Sequence, residues 1–248
     1  MIVPSLTKTA TGIFYNMKNL EELTVSEKIE SFSSQFAQGD NKLVKVEPTV
    51  FPNLITIGNS AFRSCNALQG DFNFQAATSI GDHAFSDTKA ISSIVADKVV
   101  NISSSYTFEN SLATNISLKS VMNIPGGCFQ GCNALQELTL NSAITNIGGS
   151  AFNSCQFQKL TPTKFNNLKY LGNNVWNGNS TYAGSIDLKK STDLTIIYDH
   201  TFAACTKISE IKLPPTITDV QAWAFEKVMS ADIYFYGPRP TFFSTGVF

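Results

Sequence analysis

Apolar residues recur along this chain at intervals too regular to arise by chance. A phenylalanine, and once a tryptophan, returns every 21 to 26 residues, with a mean spacing of about 23. The ten members of this series, called anchors below, are Phe14, Phe36, Phe62, Phe85, Phe108, Phe129, Phe152, Trp176, Phe202 and Phe225. Self-similarity at a fixed period of this length is the sequence signature of a repeat architecture.

Each anchor is followed by a patterned segment that predicts a short strand. After Phe129, apolar or cysteine residues stand 3, 6, 9 and 11 positions later, and the same offsets follow Phe14 and Phe202. The last of these positions alternate with polar ones, as in residues 138–140, which is the period-two pattern of a half-buried strand. A second apolar pair, eight and five residues before the anchor, predicts a short extended segment on the opposite side of the unit.

Between that second pair and the next strand, the residues predict tight turns. In four units the pair is followed by a glycine, where we expect a turn with a positive φ: Gly58, Gly81, Gly148 and Gly172. The stretch from there to the cysteine position has room for one α-helical or 3₁₀ turn. A unit of about 23 residues cannot bury its own apolar side, so the units must stack and share one continuous core.

Composition narrows the kind of surface that such a stack presents. Charged residues make up only 15% of the chain, whereas it contains 26 Ser, 23 Thr and 21 Asn. The net charge is −1, so the chain lacks the basic surplus of a nucleic-acid-binding protein. No apolar run reaches the roughly 20 residues that span a bilayer. The first residues lack the basic and apolar regions of a signal peptide.

The units resemble the BspA-like leucine-rich repeat, whose motif runs roughly L-x-x-I-x-L-P-x-x-L-x-x-I-G-x-x-A-F-x-x-C. Residues 132–140 followed by 144–155 carry this pattern, and residues 208–225 follow it closely. The resemblance implies a mainly β or α/β repeat fold. This is a right-handed leucine-rich-repeat solenoid of about ten units, with short parallel strands on its concave side. It also implies a non-enzymatic protein, secreted or exposed on the surface of a host-associated microbe and linked to adhesion.

The domain organisation follows from the extent of the repeat. No linker or shift in composition interrupts it, so we predict a single domain with the solenoid over residues 1–228. Residues 229–248 depart from the motif and are rich in proline and aromatic residues. We predict that they form a C-terminal cap of the same domain, because a solenoid must protect its terminal strands and core.

At the outward-facing strand positions, most charged residues are isolated from one another, except in the units near the C-terminus. There, consecutive units gather acids, lysines and tyrosines at outward positions: Lys159, Asp187, Glu210, Lys212, Asp232, Tyr234 and Tyr236. A patch of mixed charges and tyrosines is typical of a recognition surface, and we predict that it binds a ligand. Catalysis of polysaccharide cleavage would instead require two carboxylates within about 10 Å of each other, facing a groove.

The cysteines and histidines predict no chemistry of their own. Cys65, Cys132, Cys155 and Cys205 each stand three residues after an anchor, a position that other units fill with Met, Thr, Ser or Val. We therefore expect buried thiols, although Cys132 and Cys155 belong to neighbouring units and are close enough for a disulfide. His83 and His200 lie on turns without a nucleophile partner. We expect no catalytic residue, metal or cofactor.

Three functions remain open from the sequence. The first is a recognition protein at the cell surface or in the extracellular space, whose partner is a host extracellular protein or glycan. The second is a passive spacer within a larger surface protein. The third is a carbohydrate-active enzyme. The sequence favours the first and does not name the ligand.

Overall fold

The chain folds into coils that follow the sequence repeat. A computed structural model describes residues 1–3, 5–103 and 105–248. Each coil contains a front strand, a turn, a back strand of two residues, and a chain of tight turns around the anchor. About eleven coils of about 22 residues form a parallel β-solenoid, which confirms the predicted architecture. Within the described residues there is no helix that could cross a membrane.

The coils group into two compact units, and the first is Met1–Val121. Its front strands are β1 (Ile2–Val3), β2 (Glu22–Val25), β4 (Lys45–Glu47), β6 (Gln69–Asn73), β8 (Ala90–Val95) and β10 (Asn115–Leu118). Its back strands are β3 (Ser31–Phe32), β5 (Thr56–Ile57), β7 (Ser79–Ile80) and β9 (Asn101–Ile102). The front strands pair in the orders β1-β2-β4 and β6-β8-β10, and the back strands in the order β3-β5-β7-β9.

The second unit, Met122–Phe248, repeats this arrangement. Its front strands are β12 (Glu137–Leu140), β14 (Lys159–Thr161), β16 (Ser185–Asp187), β18 (Glu210–Leu213) and β20 (Asp232–Phe235). Its back strands are β11 (Asn123–Ile124), β13 (Asn146–Ile147), β15 (Tyr170–Leu171), β17 (Ile196–Ile197), β19 (Asp219–Val220) and β21 (Phe242–Phe243). In front, β12 pairs with β14, and β16-β18-β20 form a sheet; behind, the orders are β11-β13-β15 and β17-β19-β21.

The segment assigned to a cap has the geometry of one more coil. Its strands β20 and β21 pair in parallel with β18 and β19. Phe248 stacks on Phe225 with the ring centroids 5.8 Å apart, as consecutive anchors do. A capping role for residues 229–248 and a single-domain organisation remain predictions.

The turns around each anchor are not the helical turn expected from their length. The N–H groups of Ser60, Phe62 and Ser64 donate to carbonyl oxygens of the next coil at 2.7 to 2.9 Å. The amides between them close turns within their own coil. Ser60 and Ser64 have positive φ angles of 55° and 59°, and this conformation points every second amide toward the next coil. The expectation of a helical or 3₁₀ turn is therefore wrong, because a helix would keep these hydrogen bonds within one coil.

The repeated glycine also has a different role from the one expected. None of the four glycines that precede the anchors has a positive φ. Instead, a Cβ at Gly148 would lie 2.4 Å from the nitrogen of Gly126, and a Cβ at Gly58 would lie 2.5 Å from that of Ser34. The position excludes a side chain because the backbone of the neighbouring coil passes against it.

Two buried columns run through the coils. In the first, anchor rings of later coils stack with centroids 5.1 to 5.8 Å apart, as in Phe85 on Phe108, Phe129 on Phe152, and Trp176 on Phe202, whereas Phe14 and Phe36 meet edge to face. The second column is formed by the residues three positions after the anchors, and their side chains form hydrogen bonds as well as packing contacts. The thiols of Cys65, Cys155 and Cys205 donate there to backbone carbonyls at 2.8 to 3.0 Å. Asn179 donates in the same way to the Phe152 carbonyl at 2.6 Å.

The second coil is displaced by one residue from the predicted register. Ala37, and not Phe36, donates the inter-coil hydrogen bond of the anchor position, to the Ala61 carbonyl at 2.8 Å. The ring of Phe32 replaces the aliphatic side chain that back strands β5 to β19 place there, and its centroid lies 4.4 Å from that of Phe36. Because the rings of Phe32 and Phe36 fill this space, the small residue Ala37 fits at the anchor position. The shift places Asp40 in the second buried column.

The front sheet breaks at the same place in both units. The motif Pro-Thr-x-Phe-x-Asn-Leu occurs there, at residues 48–54 and again at 162–168. Its proline directly follows a front strand, and proline has no N–H with which to continue the ladder. Two residues later, one isolated bridge joins the following coil: Val50 to Asn73, or Lys164 to Asp187. The sheets β6-β8-β10 and β16-β18-β20 therefore occupy equivalent positions in their units.

Candidate functional site

The candidate site lies on the outward positions of β16, β18 and β20. In each strand an isoleucine points toward the core, which leaves the residues on either side of it facing outward. Strand register aligns these residues in two rows. The first row is Ser185, Glu210 and Asp232, and the second is Asp187, Lys212 and Tyr234.

Six of the seven residues singled out in the sequence gather on or beside this sheet. Tyr236 follows β20, and its ring centroid lies 6.3 Å from that of Tyr234. Lys159 lies instead on β14, in the other front sheet of the unit, opposite Glu137 of β12. Its Nζ is 2.6 Å from Glu137 Oε1. Lys159 therefore has a local partner away from the sheet that holds the other six residues.

An ion pair occupies the centre of the sheet. Lys212 Nζ lies 2.6 Å from Glu210 Oε2, and both side chains are partly exposed. The hydrogen bond to Glu210 is the main cause of a raised pKa for Lys212, with smaller contributions from Tyr236 and Asp187. Lys212 therefore keeps its proton, and Glu210 neutralises its charge.

A lysine that the strand pattern does not reveal completes the site. The Nζ of Lys189 lies 4.0 Å from the centroid of the Tyr236 ring, in a cation–π contact. The backbone N–H of Lys189 donates to Asp187 Oδ1 at 3.0 Å. An aspartate whose side chain accepts from the backbone N–H two residues later forms an Asx turn. In the sequence, the aspartate two positions before Lys189 was the signal that could have predicted this turn.

Two acids stand side by side on the face. Glu210 and Asp232 are register partners on adjacent strands. Glu210 accepts a hydrogen bond from the Lys212 ammonium group. In the described part of the chain, no three His, Cys, Asp or Glu side chains are grouped to hold a metal ion.

The equivalent face of the first unit lacks this set of side chains. On β8 and β10, Ser93 stands in the place of Glu210, Asn115 in that of Asp232, and Ser117 in that of Tyr234. Val95 takes the position of Lys212. On β6, Asp71 stands in the place of Ser185 and accepts from Ser93 Oγ at 2.8 Å, so this face also carries an acid. The same backbone therefore forms without the tyrosines and with a different set of polar side chains.

All five cysteines are buried, and none forms a disulfide. Burial raises the pKa of the Cys205 thiol to about 12. Burial also raises the pKa values of Cys65 and Cys155, and the hydrogen bond with Cys132 is a second cause for Cys155. These groups are structural thiols with little nucleophilic character.

The two histidines on the turns have close partners. His83 Nδ1 lies 2.9 Å from Asp82 Oδ1, and its ring packs against Tyr106. His200 Nδ1 lies 3.2 Å from Asp199 Oδ2, and its ring centroid is 5.1 Å from that of Trp223. Each histidine therefore contacts an acid of its own turn and an aromatic ring of the next coil, and neither set includes a serine or cysteine nucleophile.

Comparisons with known proteins agree with the coil geometry. The sequence profile of the BspA type leucine rich repeat region matches six copies, over residues 1–76, 56–183 and 179–238. A leucine-rich repeat protein from Bacteroides ovatus ATCC 8483 shares 16% identity and a TM-score of 0.55, covering 93% of this chain and 73% of that one. A leucine rich cell surface protein from Faecalibacterium prausnitzii A2-165 shares 18% identity and a TM-score of 0.46, with coverages of 94% and 77%. No curated protein sequence matches significantly.

Proposed function

Because the chain belongs to the BspA-type leucine-rich repeat family, we propose that it is a non-enzymatic cell-surface or secreted recognition protein. Its ligand is a host extracellular protein, which binds the front face of β16, β18 and β20. This role is the adhesion-type function that the family resemblance implies. A host glycan is the alternative ligand that the experiment must separate from a protein.

One observation carries this proposal. The two units build equivalent front sheets. Among the described residues, the sheet of the second unit carries a tyrosine pair, a cation–π contact and the Lys212–Glu210 ion pair, whereas β8 and β10 of the first unit have no tyrosine at their outward positions and are flanked by an Asp97–Lys119 ion pair. Tyrosine is enriched at protein interfaces, where its ring supplies contact area, and charges placed around it supply specificity. Because the fold tolerates Ser and Asn at the equivalent positions, recognition is the better account of this difference.

A binding screen with two matched variants tests the proposal. The wild-type chain is immobilised and probed with extracellular-matrix proteins and with a glycan array. Each ligand found is then tested against a variant with Glu210, Lys212 and Tyr234 changed to Ala. The control variant carries Ala at the equivalent positions of the first unit, Ser93, Val95 and Ser117.

We expect a matrix protein to bind the wild type and the control alike, and to bind the second-unit variant at least about tenfold more weakly. Equal binding by both variants would contradict the proposal. Binding of glycans alone would replace the protein ligand by a carbohydrate. A screen without any ligand would favour the passive spacer.

A further inference from the structure

We infer that the front face of the second unit recognises a guanidinium group, that is, an arginine side chain of the partner protein. This inference rests on the proposed function and adds the chemistry of the ligand. The contact is made by the carboxylate of Asp232 together with the ring of Tyr234.

The ionic groups around this position already have partners, whereas Asp232 does not. Glu210 is paired with Lys212, and Asp187 accepts from the backbone of Lys189. Within the part of the chain that the structure describes, Asp232 forms no salt bridge, and the residue is exposed. A carboxylate in this state attracts a cation from a partner.

Two lysines of the site already make internal contacts. The charge of Lys212 is neutralised by Glu210 at 2.6 Å. Lys189 lies 4.0 Å from the centroid of the Tyr236 ring. Lys164, which the isolated bridge places beside Asp187, is a third lysine, so the acids and lysines of this face are equal in number. A basic partner is therefore favoured locally at Asp232, which among the described residues of this face is the exposed acid that has neither an ion pair nor a backbone N–H on its carboxylate.

The spacing of Asp232 and Tyr234 suits arginine better than lysine. Residues two apart on a strand face the same side, about 6.5 to 7 Å from each other. A planar guanidinium can donate two parallel hydrogen bonds to the carboxylate while its face lies against the neighbouring ring, whereas an ammonium group is a point charge. The Lys189–Tyr236 contact shows that this sheet already places a cation on a tyrosine ring.

The test compares two peptides that differ in charge but not in shape. The probes are acetyl-Ala-Arg-Ala-Arg-Ala-amide and the same peptide with both arginines replaced by citrulline, which is neutral. Affinities are measured by calorimetry at low salt for the wild type, Asp232→Asn and Tyr234→Leu. Asp193→Asn and Tyr170→Leu are controls, because Asp193 and Tyr170 are exposed residues that lie outside β16, β18 and β20.

We expect the arginine peptide to bind the wild type at least about tenfold more tightly than the citrulline peptide. Asp232→Asn should abolish this preference, and Tyr234→Leu should weaken binding of the arginine peptide several-fold. Both controls should behave as the wild type. Equal affinity for the two peptides, or equal loss in Asp193→Asn, would overturn the inference.

The same variants separate failure of this inference from failure of the proposed function. If the protein ligand from the screen loses affinity for the Glu210, Lys212 and Tyr234 variant but not for Asp232→Asn, the face binds proteins without reading arginine. If the ligand binds that variant and the first-unit control equally, the proposed function itself fails, whatever the peptides do.

Discussion

The buried carboxyl group of Asp40 should make this protein less stable as the pH rises. Asp40 is fully buried in the second column of the core. Its Oδ1 accepts from the Met17 N–H at 2.5 Å, whereas Oδ2 is buried without a hydrogen-bond partner. Burial raises the pKa of Asp40 from 3.8 to about 7, against a smaller opposing effect of the Met17 hydrogen bond.

The direction of the effect follows from the raised pKa. Between pH 3.8 and about 7 the folded chain holds a proton on Asp40 that the unfolded chain has released. The stability that this proton provides is fully present below pH 3.8 and is lost as the pH rises through 7. At about 1.4 kcal/mol per pH unit, the loss by pH 8 is about 4 kcal/mol.

Replacement of Asp40 by Asn removes this titration with little change in shape. Asn179 occupies the same column in another coil and donates to two backbone carbonyls, so the column accepts an amide. Urea unfolding at pH 4 and pH 8 should show that Asp40→Asn gains about 4 kcal/mol on the wild type as the pH rises. The exposed Asp193→Asn is the control and should gain nothing. A difference between wild type and Asp40→Asn that is the same at both pH values would refute the reasoning.

Three further substitutions or treatments test the core. Phe152→Ala should lower the free energy of unfolding by about 3 to 5 kcal/mol in urea, because the ring is buried between two other anchors, whereas the half-exposed Tyr170→Ala should cost under about 1 kcal/mol. Gly148→Ala should lower the melting temperature measured by circular dichroism, since the added Cβ would lie 2.4 Å from a neighbouring backbone nitrogen, and an unchanged temperature would contradict that close approach. The five buried thiols should resist Ellman's reagent in the native protein and all react in guanidinium, and rapid native labelling would show that they are not buried.

The coil architecture could be predicted from the sequence because one residue in each coil must fill the same space. The anchor ladder and the alternating strands are consequences of burial, and burial leaves a clear hydrophobic pattern. The turns could not be predicted in the same way, since their conformation depends on hydrogen bonds to the next coil. The glycine before the anchor shows the difference: its identity was visible, but the reason for it is a contact with a neighbouring coil.

The site was predictable as a group of positions and not as a set of contacts. Register on parallel strands brings Glu210 beside Asp232 and Lys212 beside Tyr234, as the repeat alignment implies. The contact of Lys189 with Tyr236 depends on the path of a turn, which the strand pattern does not determine. The one-residue shift of register in the second coil was missed for a similar reason. The large ring of Phe32 leaves space only for a small residue at the anchor position, and Ala37 occupies it.

The central claim is that the front face of β16, β18 and β20 is the recognition surface of this protein. Amide nuclear magnetic resonance during titration with the arginine peptide locates the bound ligand residue by residue. We predict shifts confined to Asp187, Glu210, Lys212, Asp232, Tyr234 and Tyr236 and their immediate neighbours. Shifts on the equivalent strands β6, β8 and β10, or spread evenly over the chain, would contradict the claim.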